Sequence, residues 1–176
     1  MTHAPTYDRF SRWLHWLAAA LVVAAWALME AKDVFPKGSE GRRWLASLHV
    51  EAGILVAALL ALRLPWRLAH PVAPIAAPHW AMLAATGAKA ALYILMAAVP
   101  AAGIAAWAAR PEGVTLFGLA PGDPAPVLAA LRRPLKEIHE VLANALLVVA
   151  GAHAAAAIWH HRVLGDATLR RMLGRP

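Results

Sequence analysis

Two histidines near the C-terminus have the spacing expected of two metal ligands on one helix. His139 and His153 are fourteen residues apart, and a helix that turns about 100° per residue brings the second to within about 40° of the first. At a rise of 1.5 Å per residue, the two imidazoles lie about 21 Å apart along the axis. The residues between them are almost all apolar. One membrane-spanning helix would therefore present both rings on one face, close to opposite membrane surfaces.

Two further histidines occur at matching depths in other apolar stretches. His15 and His49 each lie about five residues into the first and second stretches. Because successive membrane helices run in opposite directions, His15 shares the level of His153, and His49 shares the level of His139. Two histidine pairs at two depths are the arrangement that two six-coordinate haems require, and neutral imidazole ligates iron without burying a charge.

Two other interpretations of these histidines remain open. A single histidine inside a membrane usually forms hydrogen bonds between helices and ligates no metal. Zinc usually takes three or four protein ligands, whereas each pair supplies two. Gly53 and Gly151, which lie close to His49 and His153 in sequence, could either make room for a flat macrocycle or allow close helix packing.

The elements that must position these histidines are four apolar stretches, each long enough to cross a bilayer as a helix of about 20 residues. Helix is the expected state because an isolated strand would leave its backbone groups unpaired in lipid. The predicted spans are residues 10–29, 44–64, 83–108 and 138–159, with a short interfacial helix at 127–133. The sequence predicts an all-α integral membrane four-helix bundle that forms one domain over residues 1–176.

The composition excludes several classes of function. Of the 176 residues, 61% are hydrophobic and none is cysteine. The absence of cysteine rules out disulfides, thiolate metal sites, iron–sulfur clusters and covalently attached c-type haem. The net charge is +7, but the basic residues fall almost entirely outside the apolar stretches. This pattern is typical of membrane-flanking segments and not of a nucleic-acid-binding surface.

The basic residues also predict the topology. Four spans place both termini on one side, here called the terminal side, and the connections between spans one and two and between three and four on the other, the loop side. The seventeen Lys and Arg divide equally between the two sides, with Lys89 left unassigned. Because residues on long loops, such as Arg110, influence orientation less than residues close to helix ends, such as Arg9 and Arg12, we expect both termini to be cytoplasmic. The first stretch is too long for a typical signal peptide and is read as a retained helix.

Several motifs together resemble the bacterial cytochrome b561 family over nearly the whole chain. They are Arg12-Trp13-Leu14-His15-Trp16-Leu17, His49-x-x-x-Gly53, Arg63-Leu64, Tyr93 with Pro100-x-x-Gly103, His139-Glu140 through His153 to His160-His161, and Asp166-x-x-Leu169-x-Arg171-Met172. The resemblance implies a four-helix bundle of the bacterial inner membrane with two b haems. It pairs His15 with His153 near the cytoplasm, and His49 with His139 near the periplasm.

The resemblance also implies a redox function. The family includes electron carriers that serve hydrogenases and dehydrogenases, and small stand-alone superoxide oxidases, which pass electrons from periplasmic superoxide to ubiquinone. In length and in its His160-His161 ending, the chain most resembles the superoxide oxidases. It is therefore expected to be a superoxide:quinone oxidoreductase; the alternatives are an electron-carrying subunit for a dehydrogenase or hydrogenase, and a non-redox helical protein.

Two further residues are candidate catalytic residues by the same resemblance. His160 would lie at the cytoplasmic quinone site and lend protons there. Lys89 stands where family members often carry histidine, four residues before the tyrosine of the third helix; lysine can bind an anion but cannot relay protons comparably near pH 7.

Glu51, two residues after His49, has no assigned role. Five basic residues on the loop side could attract superoxide or contact lipid headgroups: Arg42, Arg43, Arg132, Arg133 and Lys136.

Overall fold

Four long helices carry the four apolar stretches in a computed structural model that describes residues 6–75, 77–109, 114–120 and 122–174. Arg110, which entered the topology prediction, lies outside these residues, as does Arg175. The long helices are α1 (Arg9–Ala31), α2 (Glu40–Ala69), α3 (His79–Ala108) and α5 (Arg132–Arg162), and the short ones are α4 (Pro126–Ala130) and α6 (Thr168–Leu173). Each long helix is long and apolar enough to cross a membrane. The predicted all-α fold with four membrane helices is confirmed.

The long helices extend beyond the predicted apolar ranges because polar side chains stabilise their ends. The Asp8 side chain caps α1 by accepting a hydrogen bond of 2.8 Å from the Ser11 amide, and Ser39 caps α2 in the same way. α5 begins six residues before the predicted span. Two ion pairs, each between residues one helical turn apart, begin in this polar extension: Arg133–Glu137 and Lys136–Glu140.

The predicted short helix is present but ends earlier than expected. α4 covers Pro126–Ala130 and begins with a proline, which suits the first turn because its missing N–H would have no intrahelical partner. Residues 132 and 133, predicted to belong to this helix, form the start of α5. Pro134 is accommodated in the first turn of α5 for the same reason.

The helices meet in a small central core. α1 packs against α2, α3 packs against α5, and α2 joins the two halves through α3. A buried cluster draws on all four long helices: Ala18, Val56, Leu60, Met96 and Leu146. Leu146 is midway in sequence between His139 and His153, so the core lies between the levels of the two histidine pairs. Large apolar side chains such as Val23, Ile94 and Val148 are exposed on the outer faces, as expected where helices contact lipid.

The loop that follows α3 is attached to α2 by polar contacts. The Ser47 hydroxyl accepts a hydrogen bond of 2.9 Å from the amide of Thr115, and Glu51 accepts one of 3.0 Å from the amide of Phe117. The Trp107 indole donates to the Val114 carbonyl at 2.9 Å. The sequence assigned no role to Glu51. The structure shows that its side chain anchors this loop within one helical turn of His49.

We expect Glu51→Ala to loosen this turn without unfolding the bundle. A hydrogen bond to a charged acceptor contributes about 1.5–3 kcal/mol, and this exposed one should lie at the low end. Hydrogen exchange of the Phe117 amide should therefore accelerate about tenfold, measured by mass spectrometry on peptides covering 114–120. Glu137→Ala, which removes an exposed carboxylate elsewhere on the loop side, is the control. Equal exchange rates in the two variants would contradict the anchoring role.

Candidate haem sites

The structure brings the four histidines together in the two pairs that the sequence predicts. The ring centres of His15 and His153 are 6.3 Å apart and their planes are 75° from parallel. Those of His49 and His139 are 5.9 Å apart, with an angle of 86°. α1 and α2 each contribute one ring, and α5 contributes both partners. The pairs therefore join α1 to α5 and α2 to α5, whose backbones approach each other little or not at all.

These separations fit one iron ion between two imidazoles. An imidazole nitrogen lies about 2 Å from a first-row metal ion, and the ring centre lies about 1.2 Å beyond it. Two rings that share one iron therefore have centres about 6.4 Å apart, close to both observed distances. Within the described ranges, no group of three or more His, Cys, Asp or Glu residues is arranged to hold a metal ion, which disfavours the zinc interpretation.

The pair nearer the loop side has its ring orientation set by backbone carbonyls. His49 Nδ1 is 2.8 Å from the carbonyl oxygen of Ala25, and His139 Nδ1 is 3.0 Å from that of Val99. Because a carbonyl only accepts hydrogen bonds, each Nδ1 carries the proton and each Nε2 keeps its lone pair. Such contacts are typical of metal-ligating histidines, since they fix both tautomer and orientation.

Glycine makes room for one of these rings. A Cβ atom on Gly103 would lie 3.0 Å from Cε1 of His139 and 3.1 Å from its Nδ1, so any larger residue would displace the ring. By contrast, a Cβ on Gly53 or Gly151 would meet no atom within 4 Å. These two glycines therefore do not mediate close helix packing, and the space beside them is compatible with a flat macrocycle.

The pair nearer the terminal side lies among positive charges. Arg63 Nη2 is 3.0 Å from His15 Nδ1, and the Arg63 guanidinium also lies 5.7 Å from the centre of the Tyr93 ring. Lys89 is exposed on α3 and close enough to interact electrostatically with His153. The hydropathy pattern did not single out Arg63, because the residue lies at the end of an apolar stretch and resembles a membrane-flanking cation.

His160 lies on the terminal side at the end of α5, where it contacts an aspartate. Its Nδ1 is 2.5 Å from Oδ2 of Asp166, whose other oxygen accepts a hydrogen bond of 2.8 Å from the amide of Thr168. Burial raises the pKa of the Asp166 carboxyl, but the hydrogen bonds from His160 and Thr168 outweigh burial and lower the pKa below its usual value. An ionised Asp166 holds the proton of His160 on Nδ1 and leaves Nε2 available as an acceptor.

The five loop-side cations differ in their surroundings. Arg42 is 2.7 Å from Asp33, while Arg133 and Lys136 pair with Glu137 and Glu140 on α5. Arg43 donates to the carbonyl of Gly38. Three of the five are therefore paired with carboxylates, which reduces the positive potential that they can extend into solution.

Comparison with known proteins identifies the family. The sequence model of prokaryotic cytochrome b561 matches residues 6–175. The chain belongs to the prokaryotic cytochrome b561 family. Its relatives include cytochrome b561 homolog 1 of Escherichia coli, which is 34% identical over 96% of this chain and 98% of the relative. Probable superoxide oxidase CybB of Yersinia pestis is 34% identical over 91% of each chain. Cytochrome b562 of Cereibacter sphaeroides is 30% identical over 98% of each.

Membership of the cytochrome b561 family establishes the coarse function. The chain is a multi-pass membrane cytochrome that binds haem b and transfers electrons. The interpretation of the chain as a non-redox helical protein is therefore set aside. The described residues fit this cofactor through the ring separations of both pairs and through the carbonyl contacts of His49 and His139.

Gly103→Ala should disturb the candidate haem site formed by His49 and His139. The added Cβ would press on the His139 ring at 3.0 Å, so the ring must shift from its observed position by a few tenths of an ångström. We expect a lower haem content per protein and an altered reduced-minus-oxidised spectrum. Gly87→Ala on the same helix, where a Cβ meets nothing within 4 Å, is the control. A Gly103→Ala protein with the haem content and spectrum of the control would show that the ring does not need this space.

Proposed function

We propose that the chain holds two b haems, one between His15 and His153 and one between His49 and His139, and passes electrons from superoxide to ubiquinone. The observation that carries the proposal is the pair of imidazole spacings, 6.3 and 5.9 Å, at two levels of α5. The levels are about 21 Å apart along the helix axis. Haem supplies one-electron chemistry at each level, so the bundle provides a route across most of the membrane.

The reaction balances with one quinone for two superoxide anions. Each superoxide gives up one electron and leaves as O₂, and the quinone takes two electrons and two protons to become quinol. No proton is needed on the superoxide side, whereas the quinone side needs two. A proton-carrying group is therefore required at one end of the bundle only.

His160 and Asp166 are suited to supply those protons on the terminal side. The unperturbed pKa of histidine lies near neutrality, so its imidazole can accept a proton from water and pass it on. The contact of 2.5 Å with Asp166 orients the ring. We assign His160 as the proton donor to quinone and Asp166 as its positioning residue.

Arg63 and Lys89 are assigned to the acidic side chains of the haem on the terminal side. Iron ligation through His15 Nε2 requires a proton on Nδ1, and the Arg63 guanidinium also carries only donors. The two groups therefore cannot share a hydrogen bond once His15 ligates iron, and Arg63 needs a different acceptor. A haem propionate is an acceptor of the right charge. Positive charge from Arg63 and Lys89 would also favour the reduced state of a haem bound at this end.

The orientation and the donor complete the proposal. We place both termini in the cytoplasm of a bacterial inner membrane, because terminal-side arginines such as Arg9 and Arg12 lie at the start of a membrane helix. Superoxide as the donor is supported by the relative named probable superoxide oxidase CybB.

The loop-side ion pairs of Arg133 and Lys136 favour a second candidate, an electron carrier that receives electrons from a docked dehydrogenase or hydrogenase. They do so because they weaken the attraction of a small anion to this side.

His153→Ala tests the pairing of the histidines. We expect the variant to retain about half of the wild-type haem per protein, because only the terminal-side site loses a proposed axial ligand. Haem content is measured as pyridine haemochrome against protein concentration. His161→Ala, which removes another imidazole of α5, should retain the full haem content. Retention of both haems in His153→Ala would refute the pairing.

Rapid mixing with superoxide tests the proposed donor. The isolated, haem-loaded protein should show haem reduction faster than spontaneous dismutation, followed by formation of quinol when ubiquinone is present. Added superoxide dismutase should abolish the signal. If superoxide produces no haem reduction in protein with a normal b-type spectrum, the superoxide assignment is wrong. Quinol formation that requires a dehydrogenase partner would support the electron-carrier alternative.

A further inference from the structure

An open cleft on the terminal side lies outside the histidine sites. It has a volume of about 440 Å³ and lies between the first turns of α1 and the end of α6. Arg9, Arg12, Trp13 and Trp16 line it from α1, and Met172 and Leu173 line it from α6. The Trp16 indole donates a hydrogen bond of 3.2 Å to the Met172 carbonyl, which joins the two walls.

One wall of the cleft contains a buried donor that lacks an acceptor. Nε of Arg12 is inaccessible to solvent and has no hydrogen-bond partner among the described residues. Leaving a buried charged donor unsatisfied is costly. The Arg12 guanidinium packs against Gly174, which ends α6 with a positive φ of 72°; a Cβ there would collide with the guanidinium. The fold therefore places a guanidinium group in this wall.

The charges of the cleft favour an anion. Neither Arg9 nor Arg12 takes part in the ion pairs of the described residues. Guanidinium groups bind phosphate through two parallel hydrogen bonds, which gives Arg an advantage over Lys at such sites. The nearest carboxylate in sequence, Asp8, is occupied by the Ser11 amide and hydroxyl and by the Trp66 indole.

The apolar walls favour an anion that carries hydrocarbon. Trp13 is 69% exposed and Trp16 is 45% exposed, at the helix end where aromatic residues lie at the level of lipid headgroups. Leu173 is also exposed. A free phosphate ion would leave these apolar side chains in contact with water, whereas an acyl chain would cover them.

We propose that this cleft binds an anionic phospholipid, with Arg9 and Arg12 on the phosphate, Trp13 and Trp16 at the glycerol level, and Met172 and Leu173 against an acyl chain. The lipid links the start of α1 to α6. Since it binds the folded protein and not the unfolded chain, it should stabilise the fold. This site is independent of which molecules donate and accept electrons.

The test uses full-length, haem-loaded protein in a neutral detergent, to which phosphatidylglycerol, phosphatidylcholine or inorganic phosphate is added. Native mass spectrometry measures retained lipid, and thermal unfolding measures stabilisation. We expect phosphatidylglycerol to be retained and to raise Tm, and the other two to do so much less. In the double variant Arg9→Gln/Arg12→Gln, affinity for phosphatidylglycerol should fall about tenfold or more, since each basic residue near an anionic lipid contributes substantially.

The matched control is Arg162→Gln/Arg170→Gln, which removes the same charge from the same side of the protein but outside the cleft. It should retain the preference for phosphatidylglycerol. An equal loss of phosphatidylglycerol affinity in both double variants would show that general surface charge causes the effect, and would contradict the proposed site. Equal stabilisation by inorganic phosphate would indicate a soluble anion, and displacement of phosphatidylglycerol by a neutral ubiquinone would indicate a quinone cleft; either result overturns the lipid assignment.

A single substitution covers the case in which the double variant does not fold, as judged from its visible haem spectrum. Arg9 is exposed on the first turn of α1, so Arg9→Gln should fold normally. Compared with Arg162→Gln, it should weaken phosphatidylglycerol retention about threefold to tenfold. Equal retention in these two single variants would also contradict the proposal.

Discussion

The structure depends on the need to pair polar imidazoles inside an apolar bundle. A histidine ring within a membrane span is costly unless another group satisfies it, and α5 carries two such rings on one face. α1 and α2 supply one partner ring each at the right level. The helices can do so because adjacent spans run in opposite directions, which places His15 near one surface and His49 near the other. The apolar layer around Leu146 then separates the two polar levels.

The two levels differ in what fixes their rings. At the loop-side level, the carbonyls of Ala25 and Val99 set the tautomer of both histidines. At the terminal-side level, Arg63 contacts His15 instead. Neutral carbonyls add no net charge, whereas the arginine does. Two otherwise similar histidine pairs therefore lie in different electrostatic environments, as the proposed direction of electron transfer requires.

The sequence predicts the helices and the histidine pairs because both follow from regular geometry. Hydropathy locates the spans, and a separation of fourteen residues is close to four turns of helix, so His139 and His153 must share a face. The contacts that lie outside regular geometry could not be predicted. Glu51 meets Phe117 through an irregular loop, and His160 meets Asp166 only because the chain turns back between α5 and α6. The ends of α2 and α5 were likewise missed, because caps and ion pairs extend them beyond the apolar residues.

The same division explains why the family fixes electron transfer but not the electron donor. The interior of the bundle, with its paired imidazoles and apolar centre, would serve a carrier subunit and a stand-alone oxidase equally well. In the proposed function the donor meets the loop side, where Arg42, Arg133 and Lys136 are each paired with a carboxylate. A surface of paired charges extends little long-range attraction to a small anion. If superoxide is the donor, as we propose, its selection must therefore depend on short-range contacts close to His49 and His139.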